Sequence, residues 1–287
     1  MTTFIKFGGS VITDKRIAES ADHAAIARMA QAVATARTLN PQLRLVLSHG
    51  SGSYGHVAAA RYGIHKGLAA DADWFGFAAT SAAALRLNRL VVDALLSVDI
   101  PAWSLQPSTT VETAQGQVVA WHTDHIVQAI TYGLVPVVHG DVSFDRGQGC
   151  TIASTEMLLQ WLCGVPALAP TRIILVGESA VYTADPHKNP HAQRIPHIHR
   201  DNIQQVLGGA SGSYGIDVTG GMHSKLTLMW RLVTQNPLLT VCFVAPDAQL
   251  LINVLSDTPI EAGTKMTMNP ANSDQFQNSS KIASKTP

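Results

Sequence analysis

Apolar residues in this chain follow two alternating rhythms. Short runs of aliphatic and β-branched residues recur at 3–7, 43–48, 134–139, 172–176 and 240–244, and 263–266 is a candidate last strand. Nearly continuous runs of that length predict strands buried on both faces. Longer stretches with apolar residues three and four apart separate them and predict helices. Ser20 or Asp22 is placed to cap a helix reaching about Leu39, with Ile26, Met29, Ala30 and Val33 on one face and Asn40-Pro41 as the stop. A long helix is expected over 73–97, with Trp74, Phe77, Ala78, Leu85 and Val92 as its apolar stripe and the small Ala78, Ala79, Ala82 and Ala83 allowing close approach. Segment 103–121 reads as strands and turns, and further helices are expected from His122 or Thr123, from Ser154-Thr155-Glu156, and from Asp201. Strands alternating with helices predict an α/β protein with a mainly parallel sheet covered on both faces.

Length and composition narrow the partners. A chain of 287 residues can build one large α/β domain or two lobes sharing a sheet. Twenty basic residues balance twenty acidic ones with no long basic run, which argues against nucleic acid and anionic membrane surfaces. MTTFIKFGGS has no signal-peptide pattern and no apolar run approaches the ~20 residues of a membrane span, so the expected location is the cytoplasm. Cys150, Cys163 and Cys242 form no C-x-x-C pair and are expected to be buried free thiols.

Candidate chemistry gathers at glycine turns. In the stretch from Leu45 to Tyr62, LVLSHGSGSYGHVAAARY, Gly50, Gly52 and Gly55 link an apolar strand to a helix expected to start near His56. Glycines let bare N–H groups approach a ligand, and a helix N-terminus favours an anion. These glycines also fit G-x-G-x-x-G, but the HKGLAADADWF that follows contains no strand to continue a dinucleotide unit. Lys6 and Lys15 flank another turn, Gly8-Gly9-Ser10, and Lys225 follows a third, Gly220-Gly221. SGSYG at 211–215 repeats 51–55. Three lysines beside glycine turns, with a histidine at a helix start, suit two anions and hence phosphoryl transfer, which depends on positioning and charge neutralisation. No Walker sequence or protein-kinase motif set is present. His122 and His125, and the loop histidines His187, His191, His197 and His199, lack the pattern of a metal site.

KFGGSVITDK, HGSGSYGH, GDVSFD, VYTADP, DVTGGMHSK and GTKM, in this order, resemble the amino acid kinase superfamily, most closely its isopentenyl phosphate kinase branch. The likeness spans about residues 3–266. It implies a three-layer αβα sandwich, usually a homodimer, transferring the γ-phosphoryl group of ATP, with Mg²⁺, to a small-molecule phosphate. The implied lobes are 1–165, for acceptor phosphate and dimerisation, and 166–268, for nucleotide; a disordered tail is expected over 269–287.

Carried over to this sequence, the resemblance places Lys6, Gly8, Gly9, Ser10, Gly52, Tyr182, Asp185, Gly220, Gly221 and Lys225 at ATP. Lys15 would stabilise the transferring group. Gly50, Ser51, His56 and Thr155 would face the acceptor, the small-residue helix would help enclose its tail, and Glu156 would organise the lysines in place of the family's aspartate. Thr155 replaces a usual glycine, and Ser179-Ala180 replace a usual aspartate and glycine. Fosfomycin kinase is a related branch with a histidine in the same loop, so a small phosphonate is an alternative acceptor; a non-catalytic nucleotide-binding protein is an alternative of another class.

Overall fold

The computed structural model describes residues 2–14, 16–177, 179–186, 189–210 and 221–270. Lys15, Gly220, the 211–215 repeat, His187 and all but the start of the expected tail therefore lie outside the described residues.

An eight-stranded sheet runs through the molecule. Its strands are β1 (Thr2–Phe7), β2 (Arg44–His49), β3 (Ala102–Ser104), β6 (Val135–His139), β9 (Pro170–Val176), β10 (His197–Ile198), β11 (Thr240–Val244) and β12 (Thr264–Met266). They lie in the order β10-β12-β11-β9-β1-β2-β6-β3, and every pairing is parallel except β11 with β12.

Alternation along the strands sends side chains to two cores. Ile5, Phe7, Leu45, Leu47, Val135 and Val137 pack against α2 (His23–Leu39), α4 (Phe75–Leu96) and α9 (Ala248–Leu255). Phe4, Val46, Val138, Ile173 and Leu175 face the other way, onto α5 (Asp124–Thr131), α6 (Thr155–Cys163), α7 (Ile203–Ala210) and α8 (Gly221–Gln235). The result is the three-layer αβα sandwich. Asp22 caps α2 by accepting from the Ala25 N–H, and Ser154 caps α6 by accepting from Met157.

Three expectations change. The buried face of α4 carries Ala83, Ala84, Leu87, Asn88, Val91, Val92 and Leu95, while Leu85 and Ala78 are exposed. The stripe was misphased because the helix buries polar Thr80, Ser81 and Asn88, which hydropathy alone assigns to solvent. Segment 103–153 also builds a second sheet, ordered β5-β4-β7-β8, from β4 (Val111–Ala114), β5 (Gln117–Trp121), β7 (Asp141–Asp145) and β8 (Gly149–Ala153). Finally, α3 (Gly52–Tyr62) begins four residues before His56, directly within the glycine turn.

Cys150 and Cys242 are buried, Cys163 is half-buried and all three are free. Among the described residues no helix is long and apolar enough to cross a membrane.

Candidate active site

Four adjacent parallel strands end at the same level, each followed by glycine. Phe7 pairs with both His49 and Val176, and His49 pairs with His139, so Gly8, Gly50, Gly140 and Gly177 line up along the carboxyl edge of the sheet. The ladder carries one step into these turns: Gly8 N–H donates to Val176 O at 2.8 Å and Gly50 N–H to Phe7 O at 3.0 Å. In open α/β sheets this is the edge where ligands bind.

Two of the turns touch. A Cβ on Gly9 would lie 2.7 Å from both the nitrogen and the Cα of Gly52, and one on Gly50 would lie 3.0 Å from the nitrogen of Gly9. Gly52 also has φ +50°, a backbone angle that favours glycine. Bare backbone therefore meets bare backbone between α1 (Gly9–Ile12) and the start of α3. Thr13 ties them together, its hydroxyl donating to Gly9 O at 2.7 Å and accepting from the Ser53 N–H at 3.0 Å. Gly9→Ala is expected to force the turns apart and to lower the turnover of any reaction at this edge at least about a hundredfold, measured as kcat, with the fold retained by circular dichroism.

Lys6 lies on central strand β1, on the face opposite to Ile5 and Phe7, and its ammonium forms an ion pair and hydrogen bond with Glu156 in the first turn of α6. The two side chains are only 10% and 17% exposed. Burial works against the Glu156 carboxylate, but the Lys6 charge and hydrogen bond, aided by the charge of Lys225, hold its pKa below the ordinary value. Lys6, Glu156 and Lys225 thus form one electrostatic group drawn from β1, α6 and α8.

On the other side, His56 is exposed in the second turn of α3. His56 thus lies one helical turn after Gly52, in the same helix that opens at the glycine turn. Thr155 is buried and its hydroxyl donates to His49 O at 2.8 Å, supporting the base of the Gly50 turn. Ser10 and Ser51 are half-buried at the two turns. Tyr182 and Asp185 lie farther along, in the loop after β9, where Tyr182 bridges Arg194 and Asp185 is buried. Ala180 is buried beside Val181, whose N–H is taken by the Thr264 hydroxyl.

Sequence reasoning missed two features. Trp74, Phe77 and Phe144 form an aromatic cluster, with Phe77 and Phe144 stacked at 4.7 Å and Trp74 at 5.5 and 5.7 Å from them. Trp74 and Phe77 join a small core of Ala59, Ile64, Val142 and Cys150 beneath α3. The second feature is a pair of wholly buried histidines, His49 and His139, one residue before Gly50 and Gly140. The recurrence of histidine-glycine at the ends of two apolar runs was its signal.

The model of the amino acid kinase family matches residues 1–242. The chain belongs to this family. Among its relatives, isopentenyl phosphate kinase of Methanocaldococcus jannaschii is 32% identical over 236 residues, covering 80% of this chain and 86% of the relative. The isopentenyl phosphate kinase of Methanothermobacter thermautotrophicus is 35% identical over 231 residues, covering 77% and 83%. A solved isopentenyl phosphate kinase structure superposes with TM-score 0.76 at 28% identity, over 92% of this chain and all of the other. Giardia lamblia carbamate kinase, at 10% identity and TM-score 0.64, shares the fold alone.

Proposed function

We propose that this chain transfers the γ-phosphoryl group of ATP to isopentenyl phosphate, giving isopentenyl diphosphate. The observation that carries the reading is the contact between the Gly8-Gly9 and Gly50-Gly52 turns at the sheet edge, with Lys6 buried on the strand that leads into the first turn and His56 one helical turn beyond the second. Such a place suits a group passing between two phosphates. Backbone N–H groups can approach it without steric hindrance, and lysine charge faces it from a low-dielectric wall.

The donor phosphates would rest on Gly8, Gly9, Ser10 and Gly52, with Lys6 and Lys225 neutralising the charge that builds in transfer; Lys15 and Gly220 are assigned there by resemblance. Glu156 pairs with Lys6 and shares its carboxylate field with Lys225. Among the described residues no group of three or more His, Cys, Asp or Glu side chains is placed to hold a metal. Magnesium, which the family resemblance implies, would be carried largely by nucleotide phosphates and water and would supply charge neutralisation there.

The acceptor phosphate needs little activation. A phosphate monoester loses its second proton near pH ~6, so at neutral pH it is already the nucleophile. His56 then serves as a donor that positions the acceptor, with Gly50 and Ser51 beside it. A five-carbon tail needs more apolar surface than a compact phosphonate, and the aromatic cluster of Trp74, Phe77 and Phe144 next to α3 is the candidate to supply it.

ADP release with Mg²⁺-ATP, compared for isopentenyl phosphate, dimethylallyl phosphate and fosfomycin, tests the substrate. A kcat/KM for isopentenyl phosphate above ~10⁴ M⁻¹s⁻¹ and above the other two is expected. Preference for fosfomycin would overturn the acceptor and leave the roles of the lysines standing. His56→Ala is expected to lower kcat/KM for the acceptor by about 10²–10³-fold while ATP affinity changes little, measured by calorimetry.

A further inference from the structure

The last residue of β2 is a histidine facing the core. His49 is wholly buried on the α4 face of the sheet, and the equally buried ring of His139 stacks on it at 5.6 Å and 9°. Burying two imidazoles is costly, and stability alone does not explain the arrangement. Among the described residues neither ring nitrogen of His139 makes a hydrogen bond of good geometry, although the Leu105 backbone lies close enough to act on it; its Nε2 lies 3.8 Å from Asp141.

The ring of His49 makes two contacts. Its Nδ1 is 3.0 Å from Gly50 O, and its Nε2 is 3.1 Å from Asn88 Nδ2 on α4. Only one proton assignment satisfies them. Gly50 O carries no hydrogen, so Nδ1 must donate; a neutral ring then accepts at Nε2 from the Asn88 amide. Asn88 Oδ1 is left to accept from the Ser104 hydroxyl, and that hydrogen bond is present. Reversing the Asn88 amide would put two lone pairs face to face at Gly50. The chain Ser104, Asn88, His49, Gly50 is therefore directional.

Its end point is a peptide of the site. In a trans peptide the C=O and the following N–H point in opposite directions. Holding Gly50 O towards the buried ring turns the Ser51 N–H away from the core, towards the contact between the two glycine turns. The peptide before Gly50 is held as well, since His49 O accepts from the Thr155 hydroxyl and, at 3.4 Å, from the Gly140 N–H.

We propose that His49 is a positioning residue for phosphoryl transfer: its Nδ1–H locks the Gly50-Ser51 peptide so that the Ser51 N–H faces the phosphate, and Asn88 fixes the required tautomer. The proposal rests on the functional reading above. Its test compares His49→Phe, which keeps the stack and removes the donor, with His49→Asn, whose amide can take the place of Nδ1–H. His49→Phe should lower kcat about a hundredfold, with KM for ATP changed less than about threefold and the fold retained by circular dichroism. His49→Asn should recover at least about tenfold of that loss. A His49→Phe enzyme within about threefold of parental kcat, or a His49→Asn enzyme no better than His49→Phe, would overturn it. Nitrogen-15 NMR of the His49 ring should show the Nδ1–H form in the parent; the Nε2–H form overturns the proposal whatever the acceptor. A parent inactive on isopentenyl phosphate would sink the substrate reading and leave the tautomer measurement to decide this one.

Discussion

Lys6→Met is expected to lower turnover at least about a thousandfold and to destabilise the fold by about 3–5 kcal/mol near neutral pH. The two losses have different origins, which a second substitution separates. Turnover falls because a cation is removed from the edge where charge develops. Stability falls because Glu156 is left in a site where burial already opposes its charge and Lys6 is its principal partner. Lys6→Met/Glu156→Gln removes both charges and should regain most of the stability without regaining turnover. The pH dependence should also invert. In the parent, the depressed pKa of Glu156 means its contribution is present above the ordinary carboxylate value, 4.5, and is lost as pH falls through the folded value. In Lys6→Met the pKa rises above that value, so the penalty is full at neutral pH and shrinks on acidification towards 4.5. Urea midpoints for parent and single variant should therefore lie closer together near pH ~5 than near pH ~7. A gap that widens on acidification would show that Glu156 is not the source of the instability.

The layered fold was legible because the central strands are short apolar runs and their helices are capped by ordinary residues, as with Asp22 and Ser154. The glycine turns were legible for a chemical reason: backbone passing within contact distance of backbone has no room for Cβ, so Gly9, Gly50 and Gly52 stand out in any reading. Less visible was everything held by buried polar groups. Thr80, Ser81 and Asn88 look like solvent residues in a hydropathy pattern, yet they lie on the inner face of α4, where Ser81 reaches Asp141 and Asn88 reaches His49. Such residues satisfy partners far away in sequence, and no local rhythm records that. The second sheet was missed for a related reason. Its strands are short, β4 and β5 are half-exposed, and β4 meets β7 only after β5, α5 and β6 have been placed. Lys6 shows the opposite case. A lysine in an apolar run is ambiguous until its burial beside Glu156 is known.

The buried histidine pair also sets an acid limit on the fold. Burial, reinforced by the neighbouring His139 and Lys6, pushes the pKa of His49 down to about 3; burial pushes His139 down to about 4. Unfolded, each would titrate near 6.5. The unfolded chain thus binds protons that the folded one refuses, and stability present above 6.5 is lost as pH falls towards these folded values. Each histidine contributes a slope of about 1.4 kcal/mol per pH unit, so the pair should cost up to about 2.7 kcal/mol per unit below the ordinary histidine range. Asp141 works the other way. Burial raises its pKa, so the folded state takes up its proton first and offsets part of the loss at the acid end. His197, lowered by burial and by its neighbours His199 and Lys265, adds to the loss from a more exposed position. Urea unfolding near pH ~7, ~6 and ~5 checks the slope, and His139→Phe supplies the control. This variant keeps an aromatic ring against His49 and removes one titrating group, so it should reduce the slope by about half while activity at neutral pH persists. A parent whose urea midpoint is flat across this range, with His139→Phe equally flat so that no offset by Asp141 is hidden, would mean that both rings find a way to be charged inside the fold, and the Nδ1–H hold on Gly50 would then no longer require a neutral imidazole.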